Sequence, residues 1–242
     1  MDDVRTSVTV PTAQPTAARR IDGPTLAAAI DRLACVDADI ADALERIGYP
    51  IPRLREPGFA TLLQIMVAQQ VSTRAAAAIW GRLQQACLPR VSAERFLALD
   101  DAALRAIGLS RRKMEYGRGL AEAVAGRLLD LDGLADHPEE AAIATISALR
   151  GFGRWSAEIY LLFALGRADS FPGDDLAVQI GMQRLKGLPA RPDRRSMDEL
   201  AEPWRPYRGC GALFLWHYYG AATLDDRAAL ARVSVRRPGI AT

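Results

Sequence analysis

Two groups of residues in this 242-residue chain have the types and spacing to do chemistry together. The first is Leu149-Arg150-Gly151-Phe152-Gly153, followed at once by Arg154-Trp155-Ser156-Ala157. The second is a carboxylate pair, Asp174-Asp175, whose second member stands 22 residues after Gly153. Glycine permits a tight turn with positive φ and leaves backbone N–H groups uncovered. A helix that starts at such a turn aims its positive end at the same spot. Uncovered N–H groups and a helix N-terminus together hold an anion, and a DNA phosphate is one. A downstream carboxylate can stand beside a sugar and stabilise the positive charge that grows there as a base departs. Both aspartates could instead be helix caps, a common role for that residue.

The elements around these residues read as helical. Leu26, Ile30, Leu33, Val36, Ile40, Leu44 and Ile47 recur at spacings of three and four. Glu56-Pro57-Gly58 breaks the chain, and Phe59, Leu62, Leu63, Met66 and Val67 resume the pattern. Ser72 is expected to cap the next helix, through Ile79 and Leu83. A short helix at Leu104 to Ile107 ends at Gly108, and another runs from Arg111 to about Leu128. Pro138-Glu139-Glu140 starts a helix that reaches about Leu149. Trp155 to Leu165 is its partner across the glycine turn. Phe171-Pro172-Gly173 is a loop, after which Asp174 or Asp175 caps a helix to about Leu185. Pro189 to Arg195 is a second loop, and the last helix spans Gly209 to about Tyr219. No segment alternates as a strand, so the fold class is all-α, with about ten helices.

Set between two helices, the glycine turn is the hairpin of a helix-hairpin-helix element. It could also be a plain connector with glycine as C-cap. The string Gly151-Phe152-Gly153-Arg154-Trp155-Ser156 approaches a dinucleotide fingerprint but lacks the third glycine and follows a helix rather than a strand.

Composition excludes several classes. Half the residues are hydrophobic and a quarter charged, as in a soluble globular protein, and the net charge of +2 says little about partners. Cys35, Cys87 and Cys210 are too scattered for a zinc or iron–sulfur ligand set, and His137 and His217 stand alone, so no metal is expected. Reduced cysteines fit a cytosolic protein, or a nuclear one in a eukaryote. No apolar run approaches the roughly 20 residues of a membrane span. Residues 1–22 read as a disordered tail and 226–242 as a basic C-terminal tail.

Leu149 to Asp175 resembles the signature of the helix-hairpin-helix DNA glycosylase superfamily: hairpin, Gly/Pro-rich loop, aspartate. Within it the chain is most similar to the 3-methyladenine DNA glycosylase II family. Ile65-Met66-Val67-Ala68-Gln69-Gln70-Val71-Ser72 resembles that family's minor-groove wedge segment. Leu104 to Lys113 resembles the helix–turn that follows, and Glu202-Pro203-Trp204-Arg205-Pro206-Tyr207-Arg208, continuing to Leu215-Trp216, its C-terminal helix. The resemblance covers Phe59 to Tyr219. Some members carry an extra N-terminal α/β domain, for which the 58 residues before Phe59 are too few.

The resemblance implies a monomeric enzyme acting on double-stranded DNA that contains damaged bases. Gln70 would fill the gap left when a nucleotide is rotated out of the stack. Leu149, Gly151, Gly153 and Arg154 would hold the DNA backbone. Asp175 matches the catalytic aspartate, with Asp174 as its helix-capping neighbour. Related enzymes that also cut the strand carry a lysine at the place of Trp155, to form a Schiff base. Lys113 and Lys186, the only lysines, fall elsewhere in the motif. The implied reaction is therefore hydrolytic base removal that leaves an abasic site. Trp155 and Trp216 match aromatic positions of the base pocket, where each electron-rich face attracts a cationic alkylated purine by about 0.5–2 kcal/mol. Either tryptophan could instead be core. Ile159 and Leu176 stand where a branch of the family has tyrosines. No cofactor is implied, beyond the monovalent cation that some relatives hold on hairpin carbonyls.

The expected architecture has two lobes, one over 59–165 and the other over 23–58 with 174–225, and the active site in the cleft between them. A glycosylase of the same fold for oxidised guanine or a mismatched pyrimidine remains an alternative. So does a non-catalytic DNA-binding module.

Overall fold

The computed structural model describes residues 21–235, with side chains as far as Ala221. It contains twelve α-helices and two 3-10 turns, with no strand among the described residues. The all-helical expectation holds.

The first helices are α1 (Gly23–Val36) and α2 (Ala38–Ile47), followed by α3 (Phe59–Ala68) and α4 (Thr73–Ala86). The short helices α5 (Ala93–Leu97) and α6 (Asp101–Ile107) precede α7 (Arg111–Ala125). The hairpin helices are α8 (Glu139–Ser147) and α9 (Arg154–Phe163). Then come α10 (Leu176–Leu185), α11 (Arg194–Ala201) and α12 (Arg208–Val235). Most start where a side chain caps them. Ser72 Oγ accepts the Ala75 N–H at 3.2 Å, as expected, and Asp100, Ser110 and Asp193 act likewise.

Two expectations about the first helices and the tails need correction. The unbroken periodicity from Leu26 to Ile47 conceals a break at Asp37, a single extended residue (φ −140°, ψ 103°). One extended residue shifts the phase too little to disturb a three–four apolar pattern. Asp37 then caps α2 and receives Lys186 Nζ at 2.6 Å and Trp204 Nε1 at 2.8 Å. Ile21 and Asp22 are not tail: Ile21 is buried, and Asp22 caps α1 through the Thr25 N–H. Residues 1–20 and 236–242 lie outside the described residues, and α12 continues past the expected boundary at 225 to Val235.

Packing follows two groups of helices. In the first, α3 lies against α4, α7 and α9, α5 against α7, and α8 against α9. In the second, α12 lies against α1, α2 and α10. One close approach sets the second group. A Cβ on Gly181 of α10 would stand 2.7 Å from the Leu215 carbonyl oxygen of α12, so only glycine lets these backbones meet. Loop 48–58 joins the groups along α9: the Gly58 N–H donates to Tyr160 Oη at 2.8 Å, and the Arg55 N–H to the Phe163 carbonyl at 2.8 Å.

Candidate active site

The hairpin turn lies between α8 and α9. Gly151 adopts φ +91°, and a Cβ there would fall 2.3 Å from the Tyr116 ring of α7. Glycine is required on both counts. Gly153 does not take a positive φ. It is extended (φ −108°, ψ −177°), and a Cβ would meet nothing within 4 Å. The space over Gly153 is open, and no side chain caps α9. Its first-turn N–H groups therefore face that space with the positive helix end behind them. Phe152 is buried and anchors the turn, and its N–H donates to the Leu149 carbonyl at 3.1 Å.

Asp175 stands at the start of α10, where its Oδ1 accepts the N–H groups of Ala177 at 2.9 Å and Val178 at 3.1 Å. Capping thus falls to Asp175 itself and not to Asp174, which is exposed and faces Arg194 Nη1 at 3.5 Å. The reason is phase: the residue just before the first helical one is the one whose side chain reaches the N2 and N3 amides. Asp175 also receives both site tryptophans. Trp155 Nε1 donates to Oδ2 at 3.1 Å, and Trp216 Nε1 to Oδ1 at 2.9 Å. Oδ1 takes three N–H groups and Oδ2 one, which leaves Oδ2 the freer oxygen. All three side chains are partly exposed. Trp216 stacks on Phe163 of α9, with centroids 5.4 Å apart and planes at 29°.

The wedge segment ends α3. Gln70 is exposed and holds φ +55°, a strained backbone for a non-glycine residue. Sequence reasoning missed what its neighbours do. Gln69 Nε2 donates to the Gly151 carbonyl and to Ser156 Oγ, both at 3.0 Å, and so ties the wedge to the hairpin. Lys113 Nζ donates to the carbonyls of Val67 and Gln69, both at 2.7 Å, closing the C-terminus of α3; burial pulls its pKa down. A cleft of about 390 Å³ lies among Gln69, Gln70, Val71, Lys113, Tyr116 and Gly151. The Gln-Gln doublet in the sequence carried no signal of which residue anchors and which projects.

The Arg154 guanidinium pairs with Glu140 of α8 and, at 3.4 Å, with Glu158 one turn along its own helix. Glu158 is almost fully buried, and burial pushes its carboxyl up to about 7 against the pull of Arg194 and Arg154. Ile159 is buried, whereas Leu176, next to Asp175, is 55% exposed. Among the described residues no cluster of His, Cys, Asp and Glu is arranged to hold a metal, and no helix is long and apolar enough to cross a membrane.

The geometry is thus a fixed carboxylate between two indoles, beside an uncapped helix start and a strained exposed glutamine. Comparison with known proteins agrees. The family described as HhH-GPD superfamily base excision DNA repair protein matches residues 63–206. The chain is 30% identical over 167 residues to DNA-3-methyladenine glycosylase 1 of Schizosaccharomyces pombe, spanning 67% of this chain and 72% of that protein. It is 29% identical over 204 residues to DNA-3-methyladenine glycosylase 2 of Escherichia coli, spanning 78% and 68%. A solved 3-methyladenine DNA glycosylase of S. pombe in complex with abasic DNA superposes with a TM-score of 0.74 at 28% identity, over 78% of this chain and 95% of that one. The chain belongs to the HhH-GPD superfamily of base excision DNA repair proteins, on its 3-methyladenine DNA glycosylase branch.

Proposed function

We propose that this protein is a monofunctional DNA glycosylase, acting as a monomer on double-stranded DNA, that rotates out alkylated purines such as 3-methyladenine and hydrolyses their glycosidic bond. The observation that carries this is the Asp175 carboxylate, held at 3.1 and 2.9 Å by the indole N–H groups of Trp155 and Trp216. Breaking a glycosidic bond builds positive charge on the sugar, and a pre-oriented carboxylate stabilises that charge without having to reorganise. Oδ2, which carries a single protein hydrogen bond, is the oxygen to face the anomeric carbon or to orient the attacking water. An N-alkylated purine linked to the sugar is cationic and leaves readily, so a strong general acid is unnecessary.

Water as nucleophile follows from what the lysines do. Trp155 offers no amine. Lys113 is engaged with two carbonyls, and Lys186 with Asp37 and Asp39 at 2.6 and 2.8 Å. The open ground at Gly153 and the bare N-terminus of α9 suit a DNA phosphate, and Gln70 suits the gap in the stack. The Leu149 and Gly151 carbonyls each accept one hydrogen bond, which leaves each a lone pair for a monovalent cation.

The test is release of free bases from DNA treated with a methylating agent, with oxidised-guanine and mismatched duplexes in parallel. We expect methylated purines from the wild type and intact strands. Release only from the other duplexes would redirect the lesion assignment, and binding without release would reduce the protein to a DNA-binding module.

A further inference from the structure

Next to Asp175, an ion-pair network built around the buried Glu158 joins the loop that carries it to the helix that carries Trp155. Its centre is Arg194, the first residue of α11. Arg194 Nη1 lies 2.9 Å from Glu158 Oε1, 3.0 Å from Oε2 and 3.5 Å from Asp174 Oδ2, while Nε lies 2.9 Å from Asp198 Oδ2. Glu158 is one helical turn beyond Trp155 on α9 and is 2% exposed. The arginine also supports the loop backbone. A Cβ on Gly173 would stand 3.1 Å from Arg194 Cδ and 3.2 Å from Nε, so the loop rests directly on this side chain. From the α10 side, Gln179 Nε2 donates to the Gly173 carbonyl at 2.9 Å. The loop is held between these two contacts, and Asp175 follows it.

We propose that Arg194, anchored on Glu158, is a positioning residue for Asp175: it sets the height of the Gly173–Asp174 loop relative to α9, and so the distance at which Trp155 Nε1 meets Asp175 Oδ2. The proposal deepens the glycosylase reading and rests on Asp175 being the catalytic carboxylate. Its physical basis is that both ends of the Trp155–Asp175 hydrogen bond are tied to one guanidinium. Glu158 fixes the helix end, and Gly173 with Asp174 fixes the loop end. Arginine suits the task because its planar fork serves several carboxylates at once, which an ammonium cannot match. A shift of about 1 Å in a reacting group can cost on the order of 100-fold in rate.

The experiment compares Arg194→Met and Arg194→Lys with wild type in two readouts. The first is single-turnover base release alongside binding to abasic duplex. The second is the indole ¹H–¹⁵N spectrum, in which Trp155 and Trp216 report the Asp175 hydrogen bonds and Trp80, on the distant α4, is the internal control. For Arg194→Met we expect a loss on the order of 10- to 100-fold in the single-turnover rate, abasic-duplex affinity within about twofold, and a displaced Trp155 indole signal with Trp80 unmoved. Arg194→Lys should recover part of the rate and part of the shift. A folded Arg194→Met with an unchanged single-turnover rate and an unmoved Trp155 signal would overturn the proposal. If the methionine variant does not fold, Arg194→Lys carries the test, and an unchanged rate and spectrum there overturns it equally. A wild type inactive on methylated DNA would sink the proposed function instead, and the indole spectrum would still decide whether Arg194 sets the Trp155–Asp175 contact.

Discussion

Trp216 Nε1 lies 2.9 Å from Asp175 Oδ1, although the two residues are 41 positions apart and on different helices. The indole therefore does more than offer a ring face: it helps fix the orientation of the carboxylate. Trp216→Phe keeps the stacking surface against Phe163 and removes the donor. Hydrogen bonds to charged groups contribute about 1.5–3 kcal/mol to stability, so the unfolding midpoint should drop, and base release should fall by roughly 10- to 100-fold if the same bond orients the carboxylate for reaction. Equal activity in single-turnover assays would show that the carboxylate is held without this bond.

Asp175 combines capping with its proposed role, and substitutions can separate the two. Asparagine still caps α10 through its amide oxygen, but its NH₂ group then faces one indole donor. Asp175→Asn should retain the fold and lose on the order of 10²–10³-fold in base release. Asp175→Ala should additionally lose about 1 kcal/mol from the missing cap, read as a lower midpoint in urea. Undiminished release by the asparagine variant contradicts the mechanism.

The two hairpin glycines should respond differently. Gly151→Ala drives a methyl into the Tyr116 ring at a backbone conformation that alanine avoids, so it should destabilise the protein by about 1–3 kcal/mol. Gly153→Ala meets no protein atom and should leave stability near wild type, yet its methyl occupies the space proposed for the phosphate. Abasic-duplex affinity should drop for Gly153→Ala without a matching loss of stability. Parallel losses in both variants would argue that Gly153 is structural.

Gln70 holds a left-handed backbone with an exposed side chain. Gln70→Gly should relieve strain of about 1 kcal/mol and raise the unfolding midpoint. It should also slow excision from duplex DNA more than from single strands, where no stack has to be filled. An equal effect on both substrates would remove Gln70 from the wedge role.

The sign of the pH effect at Glu158 follows from burial. Its carboxyl is pushed up to about 7 from an ordinary 4.5, so the folded protein holds this proton more tightly than the unfolded chain does. The resulting stability is complete below about pH 4.5 and is lost as pH rises through about 7. Glu140, held low by Arg154, acts in the opposite sense and loses its contribution as pH falls. In urea melts at about pH 5 and about pH 8, wild type should lose stability between the two relative to Glu158→Gln, which cannot titrate. Parallel pH profiles would show that Glu158 is ionised throughout.

Local chemistry was legible wherever a few neighbouring residues decide the outcome. Apolar spacing and caps such as Ser72 located the helices, because a helix satisfies its backbone within its own segment. Gly151 marked the turn because so few residues tolerate positive φ. Asp37 was invisible as a break because one extended residue barely disturbs the period, and its capping, lysine and tryptophan partners come from three separate segments. The end of α7 was also read three residues too far, at Leu128 rather than Ala125, and that of α8 two residues too far, at Leu149 rather than Ser147.

By itself, the sequence determined an all-helical chain, the hairpin, and an aspartate at the mouth of a helix. These depend on backbone propensities and on contacts a few residues apart. Only the tertiary structure decided that both indole N–H groups converge on Asp175, and that Gln69 and not Gln70 ties the wedge to the hairpin. It alone revealed Arg194 and Glu158 beneath the loop. Each of these depends on how helices far apart in sequence are packed, and hydrogen bonds between them leave no periodic mark along the chain.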